Sequence, residues 1–157
     1  MVLYPHRSYK IMARSRKRIK STYVPPPKKI PRIEEDVDKL DSLNFKWRAN
    51  DRYVDYDHNE WGWSKVKIKE FFRKILRCLQ DYETMTWAEI KCKPHCHPVE
   101  VSEISLEAQK IIDERYCGTD IFQINTDGLC RLFGVKDRQI FYLIWHDPNH
   151  SICPMKN

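Results

Sequence analysis

Residues 121–146, IFQINTDGLCRLFGVKDRQIFYLIWH, decide the fold. Ile121–Asn125 and Leu129–Val135 are apolar runs on either side of Thr126-Asp127-Gly128, a strong hairpin signal. Lys136–Arg138 breaks the pattern a second time. Gln139–His146 follows as the most apolar run of the chain, the pattern of a strand buried on both faces. Strands joined this closely form an antiparallel meander. Along the last of them, strict alternation puts Tyr142, Ile144 and His146 on one face and Phe141, Leu143 and Trp145 on the other. Whether Arg131 shares the His146 face then depends on a single residue of register.

The segment before the meander reads as helices. Ser64 is a good N-cap, and Val66, Ile68, Phe71, Phe72, Ile75, Leu76 and Leu79 recur at three- and four-residue spacing, which predicts one apolar helix face. Thr86-Trp87-Ala88-Glu89 has the form of a capping box, and Pro94 ends the short helix it starts. Val99 and Val101 alternate with Glu100 and Ser102, which predicts a short strand. Ser105 caps a helix through Tyr116, with Leu106, Ala108, Ile111 and Ile112 as its apolar content and Gly118 at its end. The predicted fold is therefore α+β, with helices packed on a small antiparallel sheet over residues 64–157.

Residues 34–63 form an acidic and aromatic linker. The stretch 34–44 is acidic and short enough for one small helix. In 45–63, Phe45, Trp47, Tyr53, Tyr56, Trp61 and Trp63 are interleaved with Asp51, Asp55, Asp57 and Glu60. Those carboxylates would repel phosphates, so the aromatics are expected to act as a latch buried against the domain rather than to stack on bases.

Residues 1–33 are the opposite in character. Ten of the chain's 28 Lys and Arg lie in residues 1–32, which hold no acid; the other 18 face all 22 Asp and Glu. The overall +6 thus conceals an acidic body with a cationic arm. High charge, low hydrophobicity and Pro25, Pro26, Pro27 and Pro31 predict a disordered basic arm with an extended spacer. Arg14, Arg16, Lys17, Arg18 and Lys20 are its nucleic-acid-binding candidates, because such arms release counterions from phosphates.

Composition excludes several classes. No run approaches the roughly 20 apolar residues of a spanning helix, and the start lacks the apolar core of a secretory signal, so a cytoplasmic, membrane-free setting is expected. The six cysteines are then expected to be reduced thiols. Four scattered glycines exclude a phosphate loop and a dinucleotide fingerprint, and no cofactor is expected.

Polar chemistry concentrates in Lys91-Cys-Lys-Pro-His-Cys-His-Pro98 and His146-Asp-Pro-Asn-His150, with Arg131 in an otherwise apolar strand between them. Zinc donors are present, but no C-x-x-C pair is, and Pro148 makes a turn rather than a helix face between His146 and His150; no metal site is expected. Metal-free RNA cleavage needs a base for the 2′-hydroxyl, an acid for the leaving oxygen and a cation for the phosphorane. His97, His146 and His150 with Arg131 fit those roles by type. The competing expectation is a structural turn at 146–150, with Arg131 paired to Asp147 or Glu100.

The motifs Met85-Thr86-Trp87, His95-Cys96-His97-Pro98, Arg131-x-Phe133-Gly134 and Phe141-Tyr142-x-x-Trp145-x-Asp147-Pro148-x-His150 resemble a family of small, largely uncharacterised bacterial and prophage proteins over residues 85–154. The order of helices then meander, with an Arg in one strand, more distantly resembles the RelE/ParE toxin superfamily, without the basic C-terminal end of its nucleases. That likeness implies a toxin-like effector acting on RNA or the ribosome, with an antitoxin-like protein as a further partner. The alternatives are a non-catalytic module that binds nucleic acid, RNA rather than DNA, or a protein, and a zinc-stabilised structural protein.

Overall fold

The structure, a computed structural model, describes residues 36–154. Its centre is a five-stranded sheet of order β1-β5-β4-β3-β2: β1 Lys46–Arg48, β2 His97–Val99, β3 Ile121–Asp127, β4 Cys130–Asp137 and β5 Ile140–Asp147. The meander β3-β4-β5 is antiparallel, with two-residue turns at Gly128-Leu129 and Arg138-Gln139. Gly128 (φ 54°) and Arg138 (φ 53°) supply the left-handed residue that so tight a hairpin turn needs. Leu129 is therefore an exposed turn residue, not the first residue of a strand.

The sheet is mixed rather than purely antiparallel, because β1 runs parallel to β5. Among the described residues no strand follows β5, and the aromatic segment covers its outer edge. Phe45 anchors β1 among Tyr82, Trp87 and Phe141. Beyond β1 the same segment continues along the edge: the Asp55 amide donates to the Ile144 carbonyl (3.1 Å), and the His146 amide donates to the Trp61 carbonyl (3.1 Å). Backbone groups of an edge that would invite another chain are thus occupied.

A β-bulge sets the facing of β5. Phe133 pairs with Trp145 but Gly134 pairs with Leu143, so Ile144 is the extra residue. Gly134 makes this possible, since a Cβ there would lie 2.3 Å from the Tyr142 carbonyl and 2.7 Å from the Phe141 ring. The bulge overturns the strict alternation expected for this strand. Phe141 and Leu143 point to one face, while Ile144 and Trp145 both belong to the other. The Ile144 carbonyl, beside the bulge, also accepts from the Trp63 indole (2.9 Å).

Helices cover both faces. On the first lie α2 (Ile68–Glu70), a π-helical turn (Phe71–Ile75), α3 (Leu76–Glu83) and α4 (Trp87–Lys91). Their Ile75, Leu79, Trp87 and Ile90 pack with Phe122, Ile124, Leu132 and Phe141. On the second, α5 (Leu106–Tyr116) sets Ala108, Ile112 and Tyr116 against Trp61, Ile121, Phe133 and Trp145. A short α1 (Val37–Asp41) is capped by Asp36. Thr86 and Glu89 form both halves of the capping box, Ser105 caps α5, and α5 ends at Cys117 and Gly118 with positive φ.

Four expectations of local structure fail. Ser64 is not an N-cap: it lies in a 3-10 turn (Trp63–Lys65), and α2 starts at Ile68 after Lys67 with no side-chain cap. The single apolar face breaks at the π turn, which inserts a residue and rotates what precedes it, leaving Ile68 77% and Phe72 58% exposed. Val101 lies in a 3-10 turn rather than a strand, and Leu106, at the start of α5, is exposed.

Candidate functional site

The bulge and the register separate the expected site residues. Arg131 pairs with Asn125 and Asp147, and its Nη1 donates to Asn125 Oδ1 (2.7 Å), so it lies on the second face. His146 pairs with Leu132, whose side chain belongs to the first face, and its Nε2 meets Cys130 Sγ at 3.2 Å. The expected convergence of His97, Arg131, His146 and His150 on one surface is thereby corrected: His146 is on the far side of the sheet from Arg131. It is buried, and burial holds its pKa below the ordinary 6.5 against the pull of Glu70 and Asp147.

His97, Arg131 and His150 do share a neighbourhood. Gln123, two residues before Asn125 on β3, donates from Nε2 to His97 Nε2 (2.9 Å) and to the His95 carbonyl (3.3 Å). His97 Nδ1 donates to the Pro98 carbonyl (2.7 Å), so both ring nitrogens are engaged. His150 has φ 58°, and its pKa is lowered by burial and then by the Arg131 charge, with Asp147 opposing. Three buried polar atoms at this end of the sheet have no hydrogen-bond partner among the described residues: Gln123 Oε1, Arg131 Nε and His150 Nδ1.

Neither expected carboxylate forms an ion pair with Arg131. Its guanidinium instead closes the β3–β4 hairpin, with Nη1 also donating to the Gly128 (2.7 Å) and Cys130 (3.0 Å) carbonyls. Asp147, fully buried, ties down the chain after β5. It accepts from Asn149 N (3.1 Å), Ser151 Oγ (3.3 Å) and Ile152 N (2.7 Å). The Trp145-x-Asp147-Pro148-x-His150 motif is thus a turn fastened by its own aspartate.

A second constellation was not visible in the sequence. Four cations line a cleft of ≈ 470 Å³ between the π turn with α3 on one side and the end of β3 on the other: Arg73, Lys74, Arg77 and Lys93. Asp81 and Asp127 are the acids on its wall. The floor is held by Tyr82, whose hydroxyl donates to the Asn125 carbonyl (2.7 Å), and Lys93 Nζ stands 5.5 Å from the centre of the Tyr82 ring. Cys78 also faces the cleft, but burial pushes its thiol up to about 12, which leaves no thiolate to act as a nucleophile. The only sequence signal was the cationic spacing Arg73, Lys74, Arg77, three residues that read as an ordinary solvated helix face when the strand end opposite is unknown.

All six cysteines are free, and among the described residues no group of three or more His, Cys, Asp or Glu is placed to hold a metal ion. No described helix is long and apolar enough to cross a membrane. Arg14, Arg16, Lys17, Arg18 and Lys20 lie outside the described residues.

Fold and site together define a class: a mixed-sheet α+β domain with a cationic cleft on one face and a histidine-rich sheet end on the other. Residues 42–157 match the family described as Uncharacterised protein UU032, and the chain belongs to that family. No curated protein and no solved structure matches it.

Proposed function

We propose that this domain is a non-catalytic nucleic-acid-binding module, taking RNA in preference to DNA, and that the cleft beside the π turn is its docking groove. The observation that carries this is the convergence of Arg73, Lys74, Arg77 and Lys93 on one concave surface of a body that is otherwise acidic. Cations held this way attract phosphates by counterion release, and a basic arm at 1–33 adds to the same attraction.

The toxin-like ribonuclease acting on RNA or the ribosome is the alternative. What favours it is the shared neighbourhood of His97, Arg131 and His150 with its unpartnered polar atoms. What weighs against it is chemical. His146 cannot reach that neighbourhood, and His97 has both nitrogens in hydrogen bonds, so a base and an acid are hard to assemble around one phosphate.

The test is fluorescence anisotropy of a labelled 20-nucleotide RNA with the full chain and with Arg77→Glu/Lys93→Glu. The double variant should bind at least tenfold more weakly, with a salt dependence reduced by about 0.7 per lost phosphate contact. Unchanged affinity and slope would remove the cleft from the binding surface. Cleavage of the RNA by wild type, lost in His150→Ala, would restore the ribonuclease.

A further inference from the structure

The cleft beside the π turn concentrates its cations on one spot. Arg73 and Lys74 lie in the π turn itself, Arg77 follows on α3, and Lys93 is brought in by the turn after α4. Arg73 and Lys74 precede Arg77 by four and three residues, a spacing at which like charges destabilise a helix. Nothing in the cleft offsets that repulsion. None of the four cations forms an ion pair among the described residues, and Asp81 and Asp127 on the cleft wall pair with none of them. Asp81 stands four residues after Arg77, where a salt bridge commonly forms, and none does. The wall that carries these charges is fixed. Tyr82 and Cys78 of α3 both donate to the Asn125 carbonyl (2.7 and 3.5 Å), which ties the helix to the end of β3. A preformed concavity with unpaired cations, set on a π turn of the kind that recurs at functional sites, is built for an anion.

The arrangement selects among anions. A phosphodiester inside a strand carries one charge and is followed by the next along an extended track, which calls for cations in a row. A terminal phosphomonoester carries roughly 1.5 to 2 negative charges at pH 7 and three acceptor oxygens on one phosphorus. Four cations against two carboxylates leave the cleft two positive charges in excess, which matches that end group. The Arg73 and Arg77 guanidiniums supply forked donors, each suited to two phosphate oxygens at once. At ≈ 470 Å³ the cleft has the size of a small-molecule site, enough for an end nucleotide and not for a length of strand. Met85 and Pro94 give it an apolar wall for the last sugar and base. Resting on the proposed nucleic-acid role of the cleft, we infer that it clamps the phosphorylated end of an RNA strand, with Arg77 as the residue that tells a phosphomonoester from a hydroxyl end.

The experiment measures anisotropy of U10 labelled on an internal base and carrying a 5′-phosphate, a 3′-phosphate or hydroxyls at both ends, with UMP as competitor and a labelled phosphoserine peptide beside them. The full chain should bind one of the two phosphorylated strands about tenfold more tightly than the hydroxyl strand. Arg77 is exposed, so Arg77→Gln should melt at the wild-type temperature. It should bring the phosphorylated strand to within about twofold of the hydroxyl strand, while Arg77→Lys, which keeps the charge without the fork, should retain a preference of about threefold. Equal affinity of wild type for phosphorylated and hydroxyl strands overturns the inference; if both strands still weaken in Arg77→Glu/Lys93→Glu, the groove keeps its proposed function. A preference untouched by Arg77→Gln also overturns it. UMP that displaces the phosphorylated strand at equal concentration overturns it in favour of a free nucleotide, and a phosphoserine peptide that binds more tightly than every RNA overturns it in favour of a phosphoprotein. Absence of binding to all three RNAs removes the proposed function itself.

Discussion

Two polar sites flank Trp145 and Asp147 on the second face of the sheet, and they are built on opposite principles. The first is Asp55, brought in by the aromatic segment. Its Oδ2 accepts from Trp145 Nε1 (2.9 Å), its Oδ1 accepts from Asp57 N and His58 N (3.3 Å each), and Arg115 Nη1 lies 3.5 Å away. The neighbouring histidine is equally engaged, with His58 Nδ1 accepting from the Glu60 and Trp61 amides and Nε2 meeting Glu107 at 3.2 Å. The second site is the end around Arg131, Gln123 and His150, where a buried atom on each lacks a partner. A saturated network reads as a fastening, whereas a network with open valences reads as strain or as a place left for something else.

The sharpest way to break the comparison is at Asp55. Asp55→Ala strands the Trp145 indole N–H, the turn amides and Arg115 together. It should cost about 3 kcal/mol and lower the melting temperature by roughly 10 °C. Thermal denaturation followed by circular dichroism measures it. A loss below about 1 kcal/mol would mean that the strap is held by Phe45 and Trp61 alone and that Asp55 fastens nothing.

Arg131→Met tests the other side. Three carbonyl-type acceptors lose their Nη1 donor, but they sit at a hairpin end, and the unpartnered Nε disappears with them. The expected cost is about 1 kcal/mol, well below that of Asp55→Ala. Equal costs would erase the distinction between the two sites.

The same contrast explains what could be read from the chain. Hairpin chemistry at Asp127-Gly128, the Thr86–Glu89 box and the Ser105 cap are local signals, and each produced its element. Of the aromatics expected to be buried in the acidic segment, Phe45 and Trp61 are in the core, whereas Tyr56 is exposed. Facing was not legible, because it turns on non-local geometry: a single bulge at Ile144, permitted by Gly134 on the neighbouring strand, sends His146 away from Arg131. The π turn escaped for a similar reason, since a 3.6-residue pattern assigns Ile68 and Phe72 to the core whether or not the helix widens between them. The cleft joins α3 to the end of β3, some fifty residues apart in sequence, and no spacing within either segment announces it.

Acid should reveal the buried imidazole. The folded-state pKa of His146 lies below 6.5 because burial disfavours its charged form. The unfolded chain therefore takes up the proton first, and stability is full above pH 6.5 and falls as the pH drops through the folded value. Melting temperatures should decline between pH 7.5 and 5.5, and His146→Gln should remove part of that slope. His150, lowered in the same direction, retains the remainder. A slope identical in His146→Gln and wild type would mean that burial does not keep the ring neutral.

The smallest effect is the most discriminating. His150 sits at φ 58°, where a side chain is strained and glycine is not, and its buried Nδ1 has no partner. A residue that strains the backbone without forming a bond contributes little to the fold, so His150→Gly should be neutral or stabilising by about 0.5 kcal/mol. Asp147 still closes the turn through Asn149, Ser151 and Ile152, none of which depends on the imidazole. His150→Ala separates the two contributions, because it removes the ring and keeps the strain; it should fall below the glycine variant. A loss above 1 kcal/mol in His150→Gly would show that Nδ1 is bonded in solution and that this end of the sheet is as saturated as Asp55. A stable His150→Gly that binds RNA like wild type would take the imidazole out of the function altogether, leaving the cleft on the opposite face to carry it.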